Sequence, residues 1–249
     1  MKNSNKVTSQ ILSVGSDYFT GSLKVSFLKR TCGIFIFVLC FNCSSQYDME
    51  TPFEVKDEES TESTENTTIS EADYHILFVG NSLTYTNNLP KLVEEEAERK
   101  GVLVKTKSIS KPNYAIVDHW ADGEVQELIR SKKYNYVILQ QGPSSQMDGY
   151  DMLVNDAAVY ADLCSANNTK LTYFMVWPAR YNYHTFQGVI TNYTAGAQAN
   201  NAILCPVGAV WKDYFDATQD FSYYGPDDFH PSLKGSKVAA EIIVETIFN

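Results

Sequence analysis

The sequence is short of positive charge. Lys and Arg number 20 against 30 Asp and Glu, a formal net charge of −10. Without clustered Lys and Arg a chain cannot neutralise a row of phosphates, so a nucleic-acid partner is excluded. With 13 Gly and 8 Pro among 249 residues, a collagen-like or low-complexity chain is excluded as well. No His, Glu and Asp share the spacing of a catalytic metal centre. Gly80 is not followed by the further glycines of a dinucleotide loop, which argues against a nicotinamide enzyme. No cofactor is expected. The apolar run from Gly33 to Phe41 is far shorter than the roughly 20 residues that span a bilayer as a helix, so a permanent transmembrane anchor is disfavoured. Cysteine is scarce, with five in the chain. Cys164 and Cys205 lie in segments that read as buried, as two core thiols rather than a disulfide.

What is present divides into three regions of different charge. Residues 1–43 hold five basic side chains and one acid, residues 44–73 one and ten, and residues 74–249 fourteen and nineteen. In the first region Lys24, Lys29 and Arg30 precede the apolar run, and Asn42, Cys43, Ser44 and Ser45 follow it. A basic flank, a short greasy stretch and a small polar patch is the layout of an export signal. Cys43 resembles the lipidated cysteine of a bacterial lipoprotein, although Asn42 departs from the small residue usual before it. The expectation is an exported protein held by one lipid at the periplasmic or cell-surface face of a membrane; a plain secretory signal is the alternative. The polar stretch before Lys24 is long for such a signal, which leaves open a true start downstream of Met1. Residues 44–73, rich in Glu, Ser and Thr and without apolar periodicity, read as a disordered acidic linker.

The third region alternates strands with helices. Short apolar runs at Tyr74–Val79, Tyr136–Leu139, Leu171–Trp177 and Ala202–Pro206, with Val102–Ile109, read as five strands. Helical spacing falls on Leu89–Lys100, Ile116–Ser131, Tyr150–Ala166, His184–Asn200 and Pro231–Phe248. Five strands separated by helices imply an α/β fold with a parallel sheet covered on both faces. Functional residues of such sheets collect in loops at the carboxyl ends of the strands. The loop after the first strand is Gly80-Asn81-Ser82-Leu83, and the loop before the last helix is Asp227-Asp228-Phe229-His230-Pro231. A serine hydroxyl, an imidazole able to take its proton and a carboxylate able to orient that imidazole are the groups of nucleophilic acyl transfer. Ser82, His230 and Asp227 fill those roles, the three-residue spacing favouring Asp227 over Asp228. A structural reading has Ser82 capping the helix near Leu89, but Thr84, Asn87 and Asn88 are better placed for that. His119 reads as structural. Tyr181, Tyr183, Tyr223 and Tyr224 read either as a sugar-stacking rim or as the tyrosine excess of an exported protein.

Gly80-Asn81-Ser82-Leu83 resembles the nucleophile block of the SGNH (GDSL-type) serine hydrolases, and Asp227-Asp228-Phe229-His230-Pro231 resembles their C-terminal block. The stretches 76–90, 137–145 and 205–211 are similar to a bacterial branch of that superfamily, and the resemblance covers residues 74–249. It implies a flavodoxin-like three-layer α/β/α sandwich with a five-stranded parallel sheet, and metal-free ester hydrolysis through an acyl-serine. Carried over by position, Ser82 supplies nucleophile and one oxyanion N–H, with Asp227 and His230 completing the triad. The family's second block supplies a glycine N–H; the matching loop Lys111-Pro112-Asn113-Tyr114 has none, and Asn113 is the nearest substitute. Its third block supplies an asparagine amide; here Gln140 ends the strand and is the expected donor, with Gln141 the alternative. The expected function is hydrolysis of small acyl esters, acetyl foremost, on a small-molecule or carbohydrate substrate. The rivals are a non-catalytic carbohydrate-binding protein on a hydrolase fold, and a lipase or thioesterase for longer chains.

Overall fold

The computed structural model describes residues 72–249. The expected export signal of residues 1–43, Cys43 and nearly all of the expected acidic linker lie outside the described residues. Asp73, assigned above to the linker, is tied to the domain: its Oδ2 accepts the Leu103 N–H at 2.9 Å.

Five parallel strands form one sheet: β1 (Tyr74–Gly80), β2 (Val104–Ser110), β3 (Tyr136–Leu139), β4 (Lys170–Phe174) and β5 (Ile203–Cys205), in the order β2-β1-β3-β4-β5. β1 pairs with β2 from Tyr74↔Val104 to Gly80↔Ser110, and with β3 from Ile76↔Tyr136 to Val79↔Leu139. The central strands are continuous apolar runs because helices cover both sheet faces; Ile76 to Val79 and Val137 to Leu139 have no exposed surface. β2, at one edge, carries exposed Lys105 and Lys107, which discourage pairing with another chain. This is the flavodoxin-like α/β/α sandwich.

The helices are α1 (Ser82–Tyr85), α2 (Leu89–Arg99), α3 (Ile116–Asp122), α4 (Glu124–Arg130), α5 (Met147–Asp151), α6 (Ala158–Ala166), α7 (Phe186–Ala199), α8 (Val207–Thr218) and α9 (Leu233–Phe248). The crossover from β1 to β2 runs opposite to the later ones. Right-handedness therefore puts α2 on one face and α4, α6 and α7 on the other. α9 packs beside α2.

Three segments differ from the sequence reading. The helix expected over Ile116–Ser131 is two helices, broken at Gly123, whose φ of 83° ends the first in a left-handed cap. The helix expected over Tyr150–Ala166 is interrupted by a π-helical turn at Met152–Asp156. α8 was not anticipated, although its buried Val207, Trp211 and Phe215 stand at helical spacing.

Because β1 leads outward to β2 while β3 leads the other way, the loops after β1 and β3 diverge. They leave a crevice at the carboxyl ends of those two strands. Gly80 and Leu139 are the last residues of those strands.

Candidate active site

The turn that carries Ser82 is built first from Gly80. A side chain there would put its Cβ 2.5 Å from both Gln140 Oε1 and Thr84 Oγ1, so only glycine lets the turn close. Asn81 caps α1: its Oδ1 accepts the Leu83 N–H, and its backbone carbonyl accepts the N–H groups of Thr84 and Tyr85. Ser82 is thus the first helical residue, half-buried, and caps nothing. Its own N–H has no partner among the described residues, as the first N–H of a helix has none within the helix.

The second component sits between β5 and α9. Asp227 Oδ1 accepts the backbone N–H of Phe229 at 3.1 Å and of His230 at 2.9 Å, and this small turn presents the imidazole. His230 Nδ1 lies 2.6 Å from Asp227 Oδ2, and Nε2 lies 2.8 Å from Ser82 Oγ. A carboxylate can only accept, so Nδ1 carries the proton and Nε2 is left as the acceptor facing the serine hydroxyl. The hydrogen bond from His230, reinforced by the two backbone donors, holds the Asp227 carboxyl below its ordinary range against a modest opposing effect of burial. The lowered pKa favours the ionised carboxylate that the imidazole N–H needs as its acceptor.

Asp228 takes no part in this array. Its backbone is left-handed, with φ 55°, and its carboxylate pairs with Arg180 at 3.3 Å, while its carbonyl accepts the Arg180 N–H at 2.8 Å. Trp177, stacked on Trp211 at 3.5 Å, donates its indole N–H to the Phe229 carbonyl at 3.0 Å. These contacts set the His230 loop on the sheet's carboxyl edge.

The expected oxyanion donors follow less simply. The Lys111–Tyr114 loop is closed by Tyr114 N–H to the Lys111 carbonyl, with Pro112 second and Asn113 third at φ 59°. Proline followed by a positive φ is the signature of a type II turn, which asks for Gly or Asn at that third place. Asn113 is exposed, and its polar groups have no partner among the described residues. The turn is drawn to the Ser82 turn by Asn81 Nδ2, which donates to the Tyr114 carbonyl at 3.1 Å.

Gln140 requires correction. Its amide does not project as an oxyanion donor. Oε1 accepts from the Asn81 N–H and from Thr84 Oγ1, both at 2.8 Å, and Nε2 donates to the Gln141 carbonyl at 2.9 Å. The side chain is 1% exposed and acts as a strut beneath the Ser82 turn. Gln141 Oε1 accepts the Ile116 N–H at 2.8 Å, and its Nε2 faces the Met152 sulfur at 3.2 Å, a weak acceptor. Of the two amides, that of Gln141 is the less firmly held. Gln140→Ala should accordingly act on stability first. It strands the buried Asn81 N–H at a cost of about 1–3 kcal/mol. A lower melting temperature in calorimetry would show it; a variant as stable as wild type would refute the strut.

His119 is structural. It is 1% exposed and lies 2.7 Å through Nε2 from the Gly80 carbonyl; burial, the dominant influence, keeps its pKa low. The tyrosines divide. Tyr223 and Tyr224 are buried at 8% and 6%, stacked on Tyr214 and Phe215, and Tyr183 packs on Phe186. Tyr181 alone, 76% exposed and next to Arg180, remains of the expected rim. Cys164 and Cys205 are buried free thiols whose pKa values burial pushes up to about 12.

No protein-family model matches the sequence, and no curated protein matches it. Solved structures do. A Slackia heliotrinireducens protein classed with the SGNH hydrolases superimposes with a TM-score of 0.58 at 20% identity, over 70% of this chain and 98% of that one. A catalytic mutant of an acetylxylan esterase from Geobacillus stearothermophilus gives 0.56 at 13% identity, over 72% and 95%. A lipase/acylhydrolase from Enterococcus faecalis gives 0.57 at 14%, over 70% and 95%. At these identities the likeness is one of fold. The chain has the SGNH hydrolase fold.

Proposed function

We propose that the chain is a serine esterase that hydrolyses small acyl esters, acetyl foremost, on a carbohydrate. The observation that carries this reading is the continuous array from Ser82 Oγ through His230 to Asp227, at 2.8 Å and 2.6 Å. Ser82 Oγ attacks the ester carbonyl as His230 Nε2 takes its proton. The C–O bond to the alcohol then breaks, and that alcohol leaves with the proton from His230. Water, deprotonated by the same nitrogen, attacks the acyl-serine and releases the acid and free Ser82. The N–H groups of Ser82 and Asn113 stabilise the oxyanion, with the Gln141 amide as third donor once it leaves the Met152 sulfur.

The carbohydrate preference rests on the exposed Tyr181 and on the activity named for the xylan esterase of like fold. The lipase/acylhydrolase of the same fold supports the longer-chain alternative. Two measurements test the reading. A fluorophosphonate probe should label Ser82 and nothing in Ser82→Ala, whereas a non-catalytic binding protein would not react. A chain-length series of p-nitrophenyl esters should fall steeply beyond acetyl and propionyl; a rise towards octanoyl would identify a lipase or thioesterase.

Export and a lipid on Cys43 complete the proposal, on the basic flank and apolar run before that residue. Cys43→Ser should move the protein from the membrane to the soluble fraction of a bacterial host. Unchanged partitioning would refute the lipid anchor.

A further inference from the structure

Three consecutive carbonyls in the His230 loop each accept a hydrogen bond from a different part of the chain. The Phe229 carbonyl takes the Trp177 indole N–H, and the His230 carbonyl takes the Gly225 N–H at 2.7 Å. The Pro231 carbonyl takes Asn87 Nδ2 at 3.0 Å, and the other proton of that amide goes to Ser236 Oγ at 2.9 Å. Of the three donors, only Asn87 belongs to the segment that carries the nucleophile, five residues after Ser82. Ser236, on α9, is itself 1% exposed.

The backbone at this point is unusual. Asn87 and Asn88 are both left-handed, with φ 56° and 53°. A non-glycine residue in that conformation is strained, and two in succession more so. Neither side chain caps α2: Asn88 occupies the capping position without a side-chain bond, and the Asn87 amide reaches 144 residues along the chain instead. Glycine would meet the backbone requirement more easily, but it has no amide. The strained position is therefore occupied by a residue whose side chain does something glycine cannot.

We infer that Asn87 is a positioning residue that sets the distance between Ser82 and His230, by clamping the nucleophile segment to the carbonyl immediately after the catalytic histidine. The inference rests on the esterase reading of the triad. It separates two distances of different origin. The Asp227–His230 contact is local, made within one turn, and needs no help from Asn87. The His230–Ser82 contact joins residues 148 apart and depends on how the two loops are held. Asn87 is exposed, and the Trp177 and Gly225 bonds still hold the His230 loop without it, so its loss should loosen the geometry without unfolding the site.

Asn87→Gly relieves the backbone and removes only the clamp. Asn87→Asp keeps the shape and the tolerance of left-handed geometry, but puts an acceptor oxygen in place of the donating Nδ2, facing the Pro231 carbonyl. Both should lower kcat on p-nitrophenyl acetate about tenfold while KM stays within about twofold, as expected when reacting groups lose alignment rather than affinity. Proton NMR supplies a readout that general loop damage would move differently. The low-field resonance of the His230 Nδ1–H should persist in Asn87→Gly, because its partner Asp227 lies in the same turn. An active wild-type protein with an unimpaired Asn87→Gly would overturn the clamp alone. Loss of the low-field resonance together with activity would also overturn it, showing that Asn87 maintains the loop's fold rather than its distance from Ser82. A wild-type protein inert on every ester would overturn the esterase reading, and the clamp's role with it.

Discussion

Ser82→Ala is expected to lower kcat on p-nitrophenyl acetate by about 10⁴–10⁶, leaving the residual rate that oxyanion donors and binding supply without a nucleophile. The fold should not change. Ser82 caps no helix, and its Oγ makes its one hydrogen bond with His230. His230→Ala should lose nearly as much, since without Nε2 the hydroxyl has no proton acceptor. The double variant should be barely slower than either single one, because base and nucleophile act as a unit and either loss disables it. Turnover measured for the three variants beside circular dichroism spectra decides the matter. If Ser82→Ala keeps most of the wild-type rate, acyl-serine chemistry is wrong for this protein.

Asp227→Asn should cost about 10³–10⁴ in kcat, at least as much as Asp227→Ala. Position 227 has two oxygens with different tasks. Oδ1 is fixed by the Phe229 and His230 N–H groups, and Oδ2 receives the imidazole N–H. An asparagine must keep its oxygen where the two backbone donors point, which turns its NH₂ towards His230 Nδ1. The imidazole then has to present a bare Nδ1 and carry its proton on Nε2, where it can no longer accept from Ser82. The amide thus enforces the wrong tautomer, whereas alanine merely leaves the ring unsupported. Matched kcat measurements on the two variants test this. An asparagine variant much more active than the alanine variant would mean that the backbone N–H groups do not fix the amide.

Hydrophobic pattern made the sheet legible. Runs such as Tyr74–Val79 and Tyr136–Leu139 can be buried on both faces only at the middle of a covered parallel sheet, and such sheets expose their chemistry at strand ends. Ser82, Asp227 and His230 were recognisable for that reason: residue types with a definite chemistry, in loops whose place the pattern defines. Asp227 was separable from Asp228 by spacing, because a carboxylate three residues back can accept from both the backbone and the ring of the same histidine.

Amide side chains were not legible in this way. Gln140 and Gln141 are chemically identical, and nothing local says that one will strut the Ser82 turn while the other faces a sulfur. Gln140 finds its partner Asn81 59 residues away only because β1 and β3 are neighbours in the sheet. The two readings of the tyrosines stayed open for a related reason. An aromatic residue in a loop reads as exposed until the packing of α8 under Tyr223 and Tyr224 is known, and α8 was itself unread. Asn87, which looks like a helix cap, became a clamp because α9 returns beside α2 and brings the Pro231 carbonyl within its reach. Sequence by itself determined the strands and their class of fold, and singled out the three side chains that the structure brings within hydrogen-bond reach, because burial periodicity and side-chain chemistry are local properties. Tertiary structure alone decided which amides support the site and which residues face solvent. A hydrogen bond or a buried ring is defined by its partner, and for Gln140 and Asn87 that partner lies 59 and 144 residues away.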